Sequence, residues 1–202
     1  MLRLRWTSLW QRLGAQRTPD IEPLLARLRE PHRHYHNLTH IRHCLSVYDR
    51  GPRRDDVVEL ALWLHDAIYD PQARDNEERS ADWCAALAKE GNIATALSNR
   101  AQACILATRH RHIPAQADEC LTVSIDLAIL GESAERFRLY DRNIRREYAW
   151  VPLDTYRSER ARVLRTFLDR PTIFPLPWFA RRFEQSARIN LRRALAVPSL
   201  NQ

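Results

Sequence analysis

The chain has 202 residues, 45% of them hydrophobic and 28% charged, which suits one globular domain and excludes a disordered chain. Its formal charge is +7, and all but Lys89 of its 32 basic residues are arginine. Acidic residues are interleaved throughout, so the surplus reads first as solvated helix faces and only second as a preference for anionic partners. No apolar run approaches the roughly 18 residues of a membrane span. The N-terminus lacks the apolar centre of a secretion signal, so no membrane partner is expected and the expected location is the cytoplasm.

Only four glycines occur, at 14, 51, 91 and 131, spaced like helix stops rather than sheet turns. Leu, Ala and Arg dominate and favour helix. Residues 1–17 are predicted to form a helix that packs Leu2, Trp6, Leu9, Trp10 and Leu13 on the domain. Thr18 then reads as an N-cap with Pro19 at the first helical position, and Ile21, Leu24, Leu25 and Leu28 give the apolar stripe of a short helix ending before Pro31. A helix is predicted from Asn37 to Arg50, broken by Gly51-Pro52. A central one is predicted from Asp55 to Tyr69, with His65 on its apolar face. Further helices are expected over Glu77–Lys89, Ala94–Arg109, Ala117–Leu130 and Ser133–Tyr148, then from Pro152 to Pro171, with a last one reaching about Leu195. No period-two pattern persists. The expectation is one all-α domain over residues 1–202, a bundle of about eight to nine helices. The cysteines, Cys44, Cys84, Cys104 and Cys120, have no C-x-x-C spacing and read as buried free thiols.

Three segments supply metal-ligand types. His36 and His40 are four apart, a spacing that puts two imidazoles on one helix face. His65 and Asp66 end an apolar helix. Asp126 lies in SIDLAIL, a run that otherwise reads as core, where an unpaired carboxylate is costly unless a cation or an arginine meets it. Two imidazoles and two carboxylates suit a divalent ion of borderline hardness.

The order H…HD…D resembles the HD superfamily of helical phosphohydrolases, and in particular a bacterial group of predicted metal-dependent members. The resemblance runs from EPHRHYHNLTHI through LWLHDAIYDPQARDNEERSA, ILATRHRH and SIDLAILG to IRREY, most of the chain. YHN-x-x-H at Tyr35 to His40, the pair His65-Asp66, ILAT near Ile105 and Asp126-Leu127 also resemble the signature of cyclic-nucleotide phosphodiesterases. The resemblance implies an HD-type orthogonal bundle. It implies His40, His65, Asp66 and Asp126 as ligands of a divalent metal ion (Mn, Fe, Co, Ni, Zn or Mg), with Asp66 also bridging to or orienting the water. It implies His36 as the proton donor to the leaving oxygen. The expected activity is hydrolysis of a phosphate ester, with a small phosphorylated substrate such as a nucleotide as partner.

The pattern departs from the phosphodiesterases at Tyr69, where they carry a histidine. Glu77 is taken as a further acid or base, and His110 as a ligand of a second metal or a phosphate contact. Arg33, Arg109, Arg146, Asn37 and Asn76 are taken as substrate or phosphate contacts because each lies in or beside a motif. Two rival readings share the scaffold: a di-iron oxygenase using added histidines, and a non-catalytic nucleotide- or nucleic-acid-binding module whose binding would be salt-sensitive.

Overall fold

The computed structural model of the protein describes residues 1–196, so the last six residues of the expected domain lie outside the described residues. Among the described residues there are ten α-helices, one 3₁₀ helix and no strand. This is the all-α bundle expected, with more helices than the eight or nine counted from the sequence. One core cluster draws side chains from Trp6 to Leu191. Among the described residues no helix is long and apolar enough to cross a membrane.

Helix α1 (Leu2–Arg12) buries Trp6, Leu9 and Trp10. Trp6 meets Trp63 edge-on at 5.6 Å and donates its indole N–H to Pro19 O at 2.8 Å. Buried Glu59 fastens the helix from below, 2.7 Å from both Arg5 Nε and Arg12 Nη2. Helix α2 (Glu22–Arg27) starts later than the sequence suggested. Thr18-Pro19 stays outside it, because Pro19 O is taken by Trp6, Asp20 accepts the Glu22 N–H, and Pro23 occupies the first turn.

Helix α3 (Leu38–Arg50) is capped by Asn37, whose side chain accepts the Thr39 N–H. Helix α4 (Asp56–Leu64) is buried from Val57 to Leu64 and packs against α1, α3, α5, α6 and α7. It stops at His65, not at Tyr69. The carbonyls of Asp66 and Ala67 that would continue it are taken by the Arg33 guanidinium, and Ser80 Oγ pairs with the Ile68 N–H and C=O.

Helix α5 (Asn76–Gly91) ends on Asn92 in the left-handed region. Gly91 is therefore not the stop; its missing Cβ makes room for the Trp10 ring, which would lie 2.8 Å from it. Helices α6 (Thr95–Ala107) and α7 (Ala117–Asp126) follow. The single helix expected to Leu130 tightens after Asp126 into a 3₁₀ helix, Leu127–Gly131, against α8 (Ala134–Glu147) and α10 (Pro177–Ala196). Helix α9 (Leu153–Leu168) lies between those two in sequence and packs on α10. All four cysteines are free and buried.

Candidate metal centre

His40 stands on the first full turn of α3, His65 caps the C-terminus of α4, Asp66 follows it, and Asp126 ends α7. These four meet. His40 Nε2 lies 3.0 Å from His65 Nε2, 3.1 Å from Asp126 Oδ1 and 3.4 Å from Asp66 Oδ2. His65 Nε2 lies 3.1 Å from Asp66 Oδ2 and 3.6 Å from Asp126 Oδ1. Donors about 2.0–2.2 Å from a single ion stand about 2.9–3.6 Å from one another at octahedral or tetrahedral angles. The five separations therefore fit edges of one coordination polyhedron.

Two further observations fit a cation. Asp66 Oδ2 is buried with no hydrogen bond, despite its closeness to both imidazoles; a carboxylate oxygen left so is costly unless something positive meets it. Burial would push both carboxyls up, yet the histidines hold them below the usual range: His65 and His36 act on Asp66, and His110, His40 and His65 on Asp126. The same exchange raises His65 well above an ordinary imidazole against its burial, with Asp66 the main cause. Cys44, expected as a core thiol, lies one turn beyond His40, its Sγ 3.6 and 3.7 Å from the two ring nitrogens. His40, Cys44, His65 and Asp126 place their ligand atoms within 4.8 Å of one another. Asp66 is the better fourth donor, because its Oδ2 lies 3.1 to 3.4 Å from both imidazoles, whereas burial pushes the Cys44 thiol up.

Asp126 has a second face. Its Oδ2 lies 2.9 Å from His110 Nε2, so the carboxylate stands between the paired histidines and His110. His110 holds φ 56°, a left-handed conformation unusual for a residue with a side chain, and its Nδ1 is buried without a partner.

His36 sits beside the cluster, its ring stacked on Tyr69 at 4.2 Å. The acid that serves it is Glu147, not Glu77. Glu147 Oε2 lies 2.7 Å from His36 Nδ1 and accepts the Tyr69 O–H at 2.8 Å, while Oε1 accepts the N–H groups of Tyr35 and His36. Tyr69, three residues beyond Asp66, thus reaches this carboxylate as well. Glu147 was missed although it lies in IRREY. The available signal was its place on the Phe137, Tyr140, Ile144 stripe of α8, an acid on an otherwise apolar face. Glu77 is half-buried in the first turn of α5 and does not line the cleft.

Other expected substrate contacts are committed elsewhere. Arg33, fully buried, spends its guanidinium on Glu30, His36 O, Asp66 O and Ala67 O; it ties the loop bearing His36 to the end of α4. Asn37 caps α3 and donates to Arg33 O and His34 O. Asn76 closes the 70–76 loop by pairing with both backbone groups of Asp70. Arg109 is paired with Glu78, and Arg146 is exposed on α8 away from the cleft.

The cleft beside the cluster has a volume of about 560 Å³ and is lined by His36, His110 and Asp126, by aromatics of α8 and α9, and by Arg74, Arg160 and Arg162. A larger cavity of about 810 Å³ opens near α1, where Arg5 and Arg12 face Asp49 and Glu59. Its charges neutralise one another and no imidazole lines it, so it is not the chemical site. Fold and site define the class: an all-helical domain with a mixed imidazole–carboxylate cluster at the edge of an aromatic cleft. No protein-family model matches the sequence, and no curated protein or solved structure is detectably similar to it.

Proposed function

We propose that the chain is a cytoplasmic, metal-dependent phosphohydrolase of the HD type, cleaving a phosphate ester of a nucleotide or related small metabolite. The observation that carries this reading is the meeting of His40, the His65-Asp66 pair and Asp126, from three distant segments, with the imidazoles 3.0 Å apart and each 3.1 to 3.6 Å from both carboxylates. A divalent ion held there supplies an acidified water and polarises the phosphoryl oxygens. The chain's own residues do the rest. Asp66 and Asp126 accept positive charge and orient the attacking water. His36 faces the cleft and gives a proton to the departing oxygen. Glu147 on Nδ1 fixes the tautomer, so that Nε2 is the atom presented to the substrate.

The test is a screen of metal-reconstituted protein against phosphomonoesters, cyclic nucleotides and dinucleotides, with Asp66→Ala as the control. Hydrolysis by wild type that drops at least about 100-fold in the variant supports the reading; equal rates remove it. A second reading, the di-iron oxygenase, draws on His110 at the outer oxygen of Asp126. Two irons per chain with substrate-dependent oxygen consumption would favour it over hydrolysis.

A further inference from the structure

With Arg33 and Arg109 paired elsewhere and Arg146 on the surface, the arginines lining the cleft are Arg74, Arg160 and Arg162. Arg74 is exposed, and Arg162 is exposed and twice bonded to Glu159. Arg160 differs. Its side chain is 13% exposed, against 36% for its partner Asp141. Its Nε donates to Asp141 Oδ1 at 3.0 Å, and its guanidinium stands over the Tyr140 ring at 5.2 Å. Its Nη2 lies 2.9 Å from the same Oδ1 but out of line for a bond, and is buried with no hydrogen-bond partner.

One turn back on α9, Tyr156 repeats the pattern: its hydroxyl is buried without a partner, and the Arg145 guanidinium covers its ring at 4.7 Å. Positions 156 and 160 share a helix face, and both line the cleft that holds His36, His110 and Asp126. A buried donor left without an acceptor costs stability, and its persistence calls for a reason. Two of them on one face of one helix, in residues that line one cleft, describe a site short of its ligand's oxygens.

We propose that Arg160 and Tyr156 are the anion-binding pair of this cleft, with Arg160 Nη2 and the Tyr156 O–H donating to oxygens of a phosphoryl group. Asp141 and Tyr140 fix the guanidinium plane before the ligand arrives, and Nη2, 2.9 Å from Asp141 Oδ1 but without an aligned acceptor, is left to bond a ligand oxygen in line. The more exposed Asp141 is screened by solvent, whereas Arg160 is nearly buried, which favours an anion over a neutral acceptor. The identity of the anion as phosphate rests on the phosphohydrolase reading; the two unfilled donors do not.

The experiment is calorimetric titration of inorganic phosphate into EDTA-treated and Mn-loaded protein, with Arg160→Gln, Arg160→Lys and Tyr156→Phe beside wild type. Arg160→Gln is expected to weaken phosphate binding roughly 10- to 100-fold and Tyr156→Phe roughly 3- to 10-fold, with Arg160→Lys in between, since it keeps the charge and loses the fork. Tyr156→Phe is also expected to melt at or above the wild-type temperature without phosphate, because the hydroxyl removed had no partner; this variant carries the test if Arg160→Gln does not fold. Equal phosphate affinity in wild type and variants, or no phosphate binding by wild type in either state, overturns the proposal. Phosphate binding that depends on both residues in a protein that hydrolyses no ester would leave the pair standing and remove the phosphohydrolase reading. Ester hydrolysis with a KM indifferent to both substitutions would do the reverse.

Discussion

Glu147 holds His36 at two points: Oε1 accepts its backbone N–H at 2.9 Å, and Oε2 lies 2.7 Å from its ring Nδ1. Burial would push His36 down, but Asp66 and then Glu147 outweigh it and hold the ring above its ordinary 6.5. Burial would push Glu147 up, but His36 holds it below its ordinary 4.5.

The pair therefore has a pH window. A raised histidine contributes stability that is complete below 6.5 and is lost as pH rises through its folded value. A lowered carboxyl contributes stability that is present above 4.5 and is lost as pH falls through its folded value. Urea unfolding of wild type and Glu147→Gln in EDTA, where no cation adds positive charge beside His36, is expected to show the largest difference between those two values and a smaller one on either side. A difference independent of pH would mean that Glu147 acts only through its bonds to backbone and Tyr69.

Asp126 Oδ1 faces His40 and His65 while Oδ2 faces His110. A ligand that binds only the folded state stabilises it by about 2.7 kcal/mol at a free concentration of 100 Kd. Manganese or zinc is accordingly expected to raise the melting temperature of wild type and to leave His65→Ala and Asp126→Asn unmoved. Metal content per chain, measured in His110→Ala, reports whether the outer oxygen serves a second ion: a fall from two to one says that it does.

Arg33 satisfies three backbone carbonyls from two segments, a task that requires a planar fork. Arg33→Lys keeps the charge but strands at least two of those carbonyls. The expected loss is about 2–4 kcal/mol in urea unfolding, together with a lower rate of the proposed hydrolysis, because His36 and Asp66 lose their common tie. A variant as stable as wild type would show that water replaces the guanidinium.

How much of this was legible differs by residue. His40, His65, Asp66 and Asp126 were readable because their chemistry is conspicuous in apolar helices, and caps such as Asn37 and Ser133 mark helix starts by local rules. Glu147 was not, because its partner is 111 residues away and a glutamate near a helix end is ordinary in sequence. Arg33, Asn37 and Asn76 misled for the opposite reason: motif neighbours look like ligand contacts, while the backbone beside a tightly built site also needs donors. The early end of α4 depends on Arg33 and Ser80, both remote in sequence, so no local pattern carries it.

Gly131 reads as a helix stop in the sequence, and the 3₁₀ helix does end there, but its role is also spatial. A Cβ there would lie 2.5 Å from Phe183 Cβ and 2.6 Å from Phe183 O, which no rotamer change relieves. The strain would fall on the 3₁₀ helix that continues directly from Asp126. Gly131→Ala is expected to cost about 1–3 kcal/mol and to weaken metal binding as well, since Asp126 is carried on the displaced segment. Because the obstacle is the Cβ and backbone of Phe183 rather than its ring, Phe183→Ala in the same chain is expected not to rescue it. Rescue in the double variant, read by urea unfolding, would place the crowding on the ring and separate this contact from the position of Asp126.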